Sequence, residues 1–371
     1  MRITELETFF VKPRWLFLKM HTDEGIVGLG EPIVEGRAQT VAAAVREIGR
    51  YLIGQDPRRI EHHWQAIYRG QFYRGGPVLN SALSGVEQAM WDIKGKALGV
   101  PVYELLGGAV RDKIRVYSHL GNATPEEMAQ AAREKAAQGF TALKTGFFGA
   151  TRIVDTQRVL LEAETKMAAV REAVGPDVDV ALDFHGRISP AMAIRLARVL
   201  EPYYPLFIEE PCLPENVDTM VTIARSTSIP IATGERLFTR WGFREVLEKQ
   251  AASVLQPDLS HAGGILECRK IAALAETYYA ALAPHCPLGP IALAACLQVD
   301  ACTPNFLCQE QVSLGEGYLM EPFQVQEGHI PLPTGPGLGI ELDDDVVSRQ
   351  LYDGSWETPR LWFEDGSVAD W

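Results

Sequence analysis

The chain has 371 residues, a formal net charge of -13 and a sequence pI near 5.2. That balance excludes the basic face needed to bind a nucleic-acid backbone and leaves small molecules as the expected partners. A chain this long exceeds what one core fills, so a barrel of about 250 residues plus a smaller domain of about 100 is the economical division.

Met1 to Glu7 carries charges where a signal peptide has its apolar core, and no membrane span is expected. A cytoplasmic protein without membrane contact is expected. Residues 2–11 and 15–21 read as strands, and Thr22-Asp23-Glu24-Gly25 as the turn into Ile26 to Glu31, giving an antiparallel meander. Apolar residues at helical spacing then mark Thr40 to Leu52, Arg58 to Tyr68 and Leu79 to Leu98, the last ended by Gly99 and Pro101. Residues 1–112 thus form an α+β capping domain.

From Ile114 the pattern changes to short apolar runs separated by amphipathic helices at Pro125 to Gln138, Val154 to Val174, Ser189 to Leu200 and Ile265 to Tyr278. Arg115 to Tyr117 and Ala142 to Lys144 are the first two runs, and six more follow. Eight parallel strands close a barrel, so residues 113–311 are expected to form an α/β fold, a modified TIM-like (β/α)-barrel. The Pro- and Gly-rich segment 312–371 loses the alternation and is expected to return to the cap. Cys212, Cys268, Cys286, Cys296, Cys302 and Cys308 show no CxxC spacing and read as reduced core residues, not zinc ligands.

Each of the six later runs ends on an ionisable side chain, in the order Asp183, Glu209, Glu235, Asp258, His285 and Glu310, at intervals of roughly 25 residues, the length of one βα unit. A barrel gathers these ends at one mouth. Asp183, Glu209 and Glu235 come from consecutive strands, and three adjacent anions repel unless a cation joins them. Oxygen-only ligation suits Mg²⁺ better than zinc. Asp258 and His285 come from the next two strands, where a carboxylate orients an imidazole and raises its basicity, as a general base requires.

His185 follows Asp183 by two residues, which turns it to the same side of the strand and toward the mouth. Glu310 would donate to a substrate oxygen if its carboxyl stays protonated, and otherwise reads as an ion-pair partner. His261 reads as structural, and His62, His63 and His329 as surface positions.

Ala82-Leu83-Ser84-Gly85-Val86-Glu87-Gln88-Ala89-Met90-Trp91-Asp92, Asp183-Phe184-His185, Ile208-Glu209-Glu210-Pro211, Gly234-Glu235, Gln256-Pro257-Asp258 and Ala283-Pro284-His285 resemble the motifs of the enolase superfamily, in its mandelate racemase-like branch. Within it, Phe72-Tyr73-Arg74-Gly75-Gly76-Pro77 and Pro284-His285-Cys286-Pro287-Leu288-Gly289-Pro290 are most similar to the galactonate dehydratases. The resemblance implies Mg²⁺ on Asp183, Glu209 and Glu235 and elimination of water from an acid sugar, galactonate or a related aldonate. His285 with Asp258 would take the proton beside the carboxylate, His185 would protonate the departing β-hydroxyl, and Glu310 would stabilise the enediolate. The product would be a 2-keto-3-deoxy acid, and a homo-oligomer is expected.

Racemases of this branch end the second strand Lys-x-Lys. Lys144-Thr145-Gly146 lacks the second lysine, which excludes a racemase built on it. Segments 146–150 and 312–323 depart from the galactonate dehydratase pattern, and both are expected to border the pocket. The alternatives are a racemase, epimerase or cycloisomerase using the same enediolate, and a binding protein with a degenerate site.

Overall fold

A computed structural model describes residues 1–371. Strands β1 (Ile3–Val11), β2 (Trp15–Thr22) and β3 (Val27–Gly30) form the antiparallel meander, with Val11 opposite Trp15 across a short turn that carries Arg14. Helices α1 (Ala38–Leu52), α2 (Ile60–Arg69), α3 (Pro77–Leu98) and α4 (Val102–Leu105) complete the cap. Helix α3 starts with Pro77 in its first turn, where a missing N–H costs nothing, and stops at Gly99 in the left-handed region (φ 71°). It lies directly on β3: a Cβ added to Gly30 would overlap the carbonyl oxygen of Gly85, so backbone meets backbone.

β4 (Lys113–Arg115) is followed by β5 (Ser118–His119), α5 (Pro125–Ala137), β6 (Ala142–Thr145), α6 (Gln157–Val174), β7 (Asp179–Asp183), α7 (Pro190–Leu200), β8 (Ile208–Glu209) and α8 (Val217–Ala224). Then come β9 (Ile231–Thr233), α9 (Thr239–Glu248), β10 (Val254–Leu255), α10 (Ile265–Glu276), β11 (Ala281–Leu282) and α11 (Pro290–Cys302). The seven strands β5 to β11 pair in sequence order, all parallel. Residues 305–309 bridge the two edges: Leu307 N donates to Leu282 O (2.7 Å) and Gln309 N to Arg115 O (2.9 Å), curling the sheet into a barrel.

One strand expectation needs correction. The expected first strand, Arg115 to Tyr117, meets Gln309 at the barrel seam, but Arg115 also ends β4, which pairs antiparallel with β12 (His329–Pro331), and the pairing with β6 is made two residues later by Ser118 and His119. The run is continuous in hydropathy, but its partner lies more than two hundred residues later, outside any local window. The tail does reach the cap, through Lys12 N to Gln350 O (2.9 Å) and Tyr318 Oη to Lys12 O (2.8 Å). Its remaining elements are α12 (Asp344–Arg349) and the hairpin of β13 (Leu361–Trp362) and β14 (Val368–Ala369).

Two cap carboxylates dock on barrel helices. Glu31 accepts from Gly289 N (2.7 Å) and Ala292 N (2.9 Å) at the start of α11, and Glu87 from Ile265 N (2.7 Å) and Leu266 N (2.9 Å) at the start of α10. Helix N-termini leave such N–H groups without internal partners and favour negative charge. All six cysteines are free and buried, and no helix is long and apolar enough to cross a membrane.

Gly30→Ala should force β3 and α3 apart at a backbone contact that no rotamer change relieves, a cost of about 1–3 kcal/mol. A urea denaturation midpoint equal to wild type would contradict that packing.

Candidate active site

The C-terminal ends of the parallel strands deliver the site. Lys144 sits in β6, Asp183 and Glu209 close β7 and β8, and Glu235, Asp258 and His285 lie just past β9, β10 and β11. A cavity of about 470 Å³ is lined by Lys144, Asp183, His185, Glu235, His285 and Glu310 among others, with Glu209 and Asp258 buried outside its lining. Cap residues Arg14 and Glu35, joined by a 2.6 Å ion pair, form part of the opposite wall. The sequence ladder thus converges, and the cap covers it.

Lys144 is buried among carboxylates, with Nζ at 2.8 Å from Glu209 Oε2, 2.9 Å from Glu310 Oε1 and 3.4 Å from Asp183 Oδ2. Burial opposes its charge, but Glu209 and Glu310 outweigh burial and hold the ammonium well above the usual lysine range. The sequence reading weighed Lys144 only for the second lysine it lacks. It closes the short apolar run Ala142 to Lys144 as the later ionisable residues close theirs, and that is the usable signal.

Glu209 is pushed up to about 8, first by burial and then by repulsion from Asp183. Its Oε1 is buried without a hydrogen-bond partner. Like charges ~4 Å apart repel by about 4 kcal/mol at an effective dielectric of 20, so one ammonium does not neutralise Asp183, Glu209, Glu235 and Glu310 together. An oxygen-rich, net negative group with a buried unpaired lone pair fits a hard divalent cation. Ligand atoms of Glu209, Glu235 and His285 lie within 4.8 Å of one another. Asp183 lies outside that trio: its contacts are Lys144 Nζ at 3.4 Å and His185 Nε2, 3.3 Å from Asp183 Oδ2.

His285 Nδ1 bonds Asp258 Oδ2 at 2.9 Å, and Nε2 faces Glu235 Oε2 at 2.8 Å. Burial favours the neutral ring, yet Glu235 and Glu310 hold it well above the usual histidine range. Reciprocally, Glu235 falls to about 2: burial raises it, and the His285 charge more than reverses that.

Glu310 sits among positively charged partners. Burial works toward protonation, but Lys144, His285 and His119 hold the carboxyl well below the usual range, and Cys286 N donates to Oε2 at 2.9 Å. His119 itself, Nε2 at 3.1 Å from Glu310 Oε1, lines the cavity and was missed because the first barrel strand was placed too early.

His185, with φ 53°, turns its ring into the cavity, and Nδ1 lies 3.0 Å from Arg187 Nη2. A guanidinium only donates, so Nδ1 accepts and Nε2 carries the proton toward Asp183. His261 has the structural surroundings expected, Nδ1 at 3.0 Å from Ser81 Oγ, although it also borders the cavity. His63 is not at the surface: it is fully buried between Tyr51 Oη (2.9 Å) and Asp56 O (2.8 Å).

Of segment 146–150 only Gly146 lines the cavity. Phe147 is buried and Phe148 packs edge-on against Phe184 at 4.9 Å, so these rings serve the core. Residues 312–314 and Glu316 border a separate cavity with Trp15 and Phe140, not this one. The two departures therefore leave the wall of the site polar.

Family models match twice: the mandelate racemase / muconate lactonizing enzyme N-terminal domain over residues 8–107, and the enolase C-terminal domain-like model over 127–346. The chain is 52% identical to D-galactonate dehydratase of Ralstonia pickettii (strain 12J) and 50% identical to that of Cronobacter sakazakii (strain ATCC BAA-894), covering all of both chains in each case. Among solved structures, the mandelate racemase/muconate lactonizing enzyme from Sulfitobacter sp. superposes with a TM-score of 0.92 at 33% identity over 100% of both chains. The one from Jannaschia sp. CCS1 gives 0.90 at 35%, over 95% of this chain and 98% of its own.

Lys144→Met should leave Glu209 and Glu310 buried without their cation, a loss of about 3–5 kcal/mol. The thermal midpoint should fall, and added Mg²⁺ should recover more stability in the variant than in wild type. An unshifted midpoint would mean that the ammonium does not hold the cluster together.

Proposed function

The chain belongs to the enolase superfamily, in its mandelate racemase / muconate lactonizing enzyme branch, and on that premise we propose a hydro-lyase that dehydrates a sugar acid, D-galactonate or a related aldonate, to a 2-keto-3-deoxy acid. The observation that carries the reading is the placement of two histidines on one cavity, His185 beside Asp183 and His285 beside Glu235, at the two ends of a carboxylate row. Similarity to the D-galactonate dehydratases over the full length supports the substrate class.

Asp183, Glu209 and Glu235 would hold Mg²⁺, which when bound supplies positive charge against the anion formed as a proton leaves the carbon beside a carboxylate. Asp258 keeps Nδ1 of His285 as its hydrogen-bond donor, so Nε2 is the atom that would take the α-proton from a neutral ring, and Mg²⁺ held on Glu235 would remove the anion that otherwise keeps that ring protonated. Lys144 lines the cavity and presents an ammonium to the resulting enediolate. Glu310, as a carboxylate, acts through Lys144 and His119, holding both at the cavity wall.

The electron pair left by the C–H bond forms the C=C bond as the β-C–O bond breaks. The hydroxyl departs as water with the Nε2 proton of His185, whose ring takes up the negative charge beside the Arg187 guanidinium at Nδ1, and the enol tautomerises to the ketone. General base catalysis supplies roughly 10² to 10⁴ in rate, about 3–5 kcal/mol, so charge stabilisation carries the larger share.

The same reading takes residues 1–112 as the cap, 113–311 as the barrel and 312–371 as the segment that returns to the cap, in a cytoplasmic homo-oligomer. Arg14 and Glu35, from the cap, border the end of the cavity where a polyhydroxylated tail would lie.

Treatment with EDTA should abolish formation of 2-keto acid from D-galactonate, detected as its semicarbazone, and Mg²⁺ should restore it. Turnover that survives thorough metal removal would overturn the role of the three carboxylates, and a product of unchanged mass would indicate epimerisation instead. His185→Asn should lower dehydration by about 10² to 10⁴ while exchange of the α-proton with D₂O persists. Exchange lost with dehydration retained would reverse the assignment of the two histidines.

A further inference from the structure

We propose that Trp371 is a positioning residue for His185, pressing the imidazole against Arg187 so that its Nε2 edge is the one offered to the cavity. What the ring then does rests on the dehydratase reading; the clamp itself is geometric.

The side chain of His185 is 39% exposed, so packing from its own strand does not fix the ring. One ring face is covered by the Trp371 indole, with centroids 5.5 Å apart and planes inclined by 32°, an offset stack. The ring edge is held by Arg187 Nη2 at Nδ1, and Arg187 is anchored in turn by Nη1 to Phe148 O (3.0 Å). The Arg187 guanidinium also lies 5.8 Å from the Trp371 ring. Indole, imidazole and guanidinium therefore meet in one cluster, the indole tilted over the imidazole and the guanidinium at its edge, and Trp371 lines the same cavity as His185.

Residues far from the barrel strands bring the indole there. The β13–β14 hairpin is tied to the loop after β6 by Arg152, whose guanidinium sits 4.6 Å over the Phe363 ring and whose Nη2 is 3.5 Å from Asp365 Oδ2. Thr358 and Trp371 are the two tail residues that reach the cavity wall. Without the indole, one face of the imidazole opens to water and its χ angles regain their alternative wells. The Nε2 proton then meets the departing hydroxyl in only a fraction of the bound complexes.

The test compares Trp371→Ala and Trp371→Phe with wild type by two readouts. Carbethoxylation of His185 by diethyl pyrocarbonate, followed by peptide mass spectrometry, should be several-fold faster in the alanine variant and near wild type in the phenylalanine variant. With D-galactonate, kcat for water loss should fall roughly tenfold in Trp371→Ala, the rate equivalent of one aromatic contact. KM should change less, α-proton exchange should persist, and phenylalanine should rescue the rate. Equal carbethoxylation rates in wild type and Trp371→Ala would overturn the clamp whatever the activities are. Faster carbethoxylation in a protein that dehydrates no sugar acid would uphold the clamp and overturn the proposed function.

Discussion

An excess of buried negative charge at the barrel mouth is the constraint around which the rest is arranged. Asp183, Glu209, Glu235, Asp258 and Glu310 project from neighbouring strand ends, and repulsion among them would open the site if nothing compensated it. Lys144 supplies one positive charge to three of them, and His285 another to Glu235 and Glu310. The unpartnered Glu209 Oε1 is where this compensation stops. The arrangement therefore favours a further cation and a substrate that places its own charges among these groups.

Precision at the mouth depends on more than the barrel. Strands β8, β10 and β11 are only two residues long, so hydrogen bonding along them does not by itself fix the loops that follow. The cap contributes there: Glu31 and Glu87 reach across to the first N–H groups of α11 and α10, the helices entered directly after His285 and Asp258. The tail contributes on the other side, through Trp371 on His185. His285 and His185 are thus steadied by different outlying segments.

The legible and illegible parts of the site divide along contact range. Asp183, Glu209, Glu235, Asp258, His285 and Glu310 were readable because each ends an apolar run, a local pattern with a regular spacing. Lys144 carried the same local mark but was judged by a missing neighbour, not by its own position. His119 was hidden by the early placement of the first barrel strand, since β4 is recruited by His329–Pro331. His63 has a buried environment made by Tyr51 and the Asp56 carbonyl, and helical periodicity alone did not separate it from exposed His62.

By itself the sequence determined the α+β cap, the run of βα units, and which side chains stand at the strand ends, because hydrophobic period and turn chemistry are local properties. The tertiary structure alone decided the ion pairs of Glu310 with Lys144 and His119, the inward turn of Phe147 and Phe148 away from the pocket, and the meeting of Trp371 with His185. Charge and burial are sums over neighbours that chain order does not bring together. They acquire values only when the barrel closes and the cap and tail fold over its mouth.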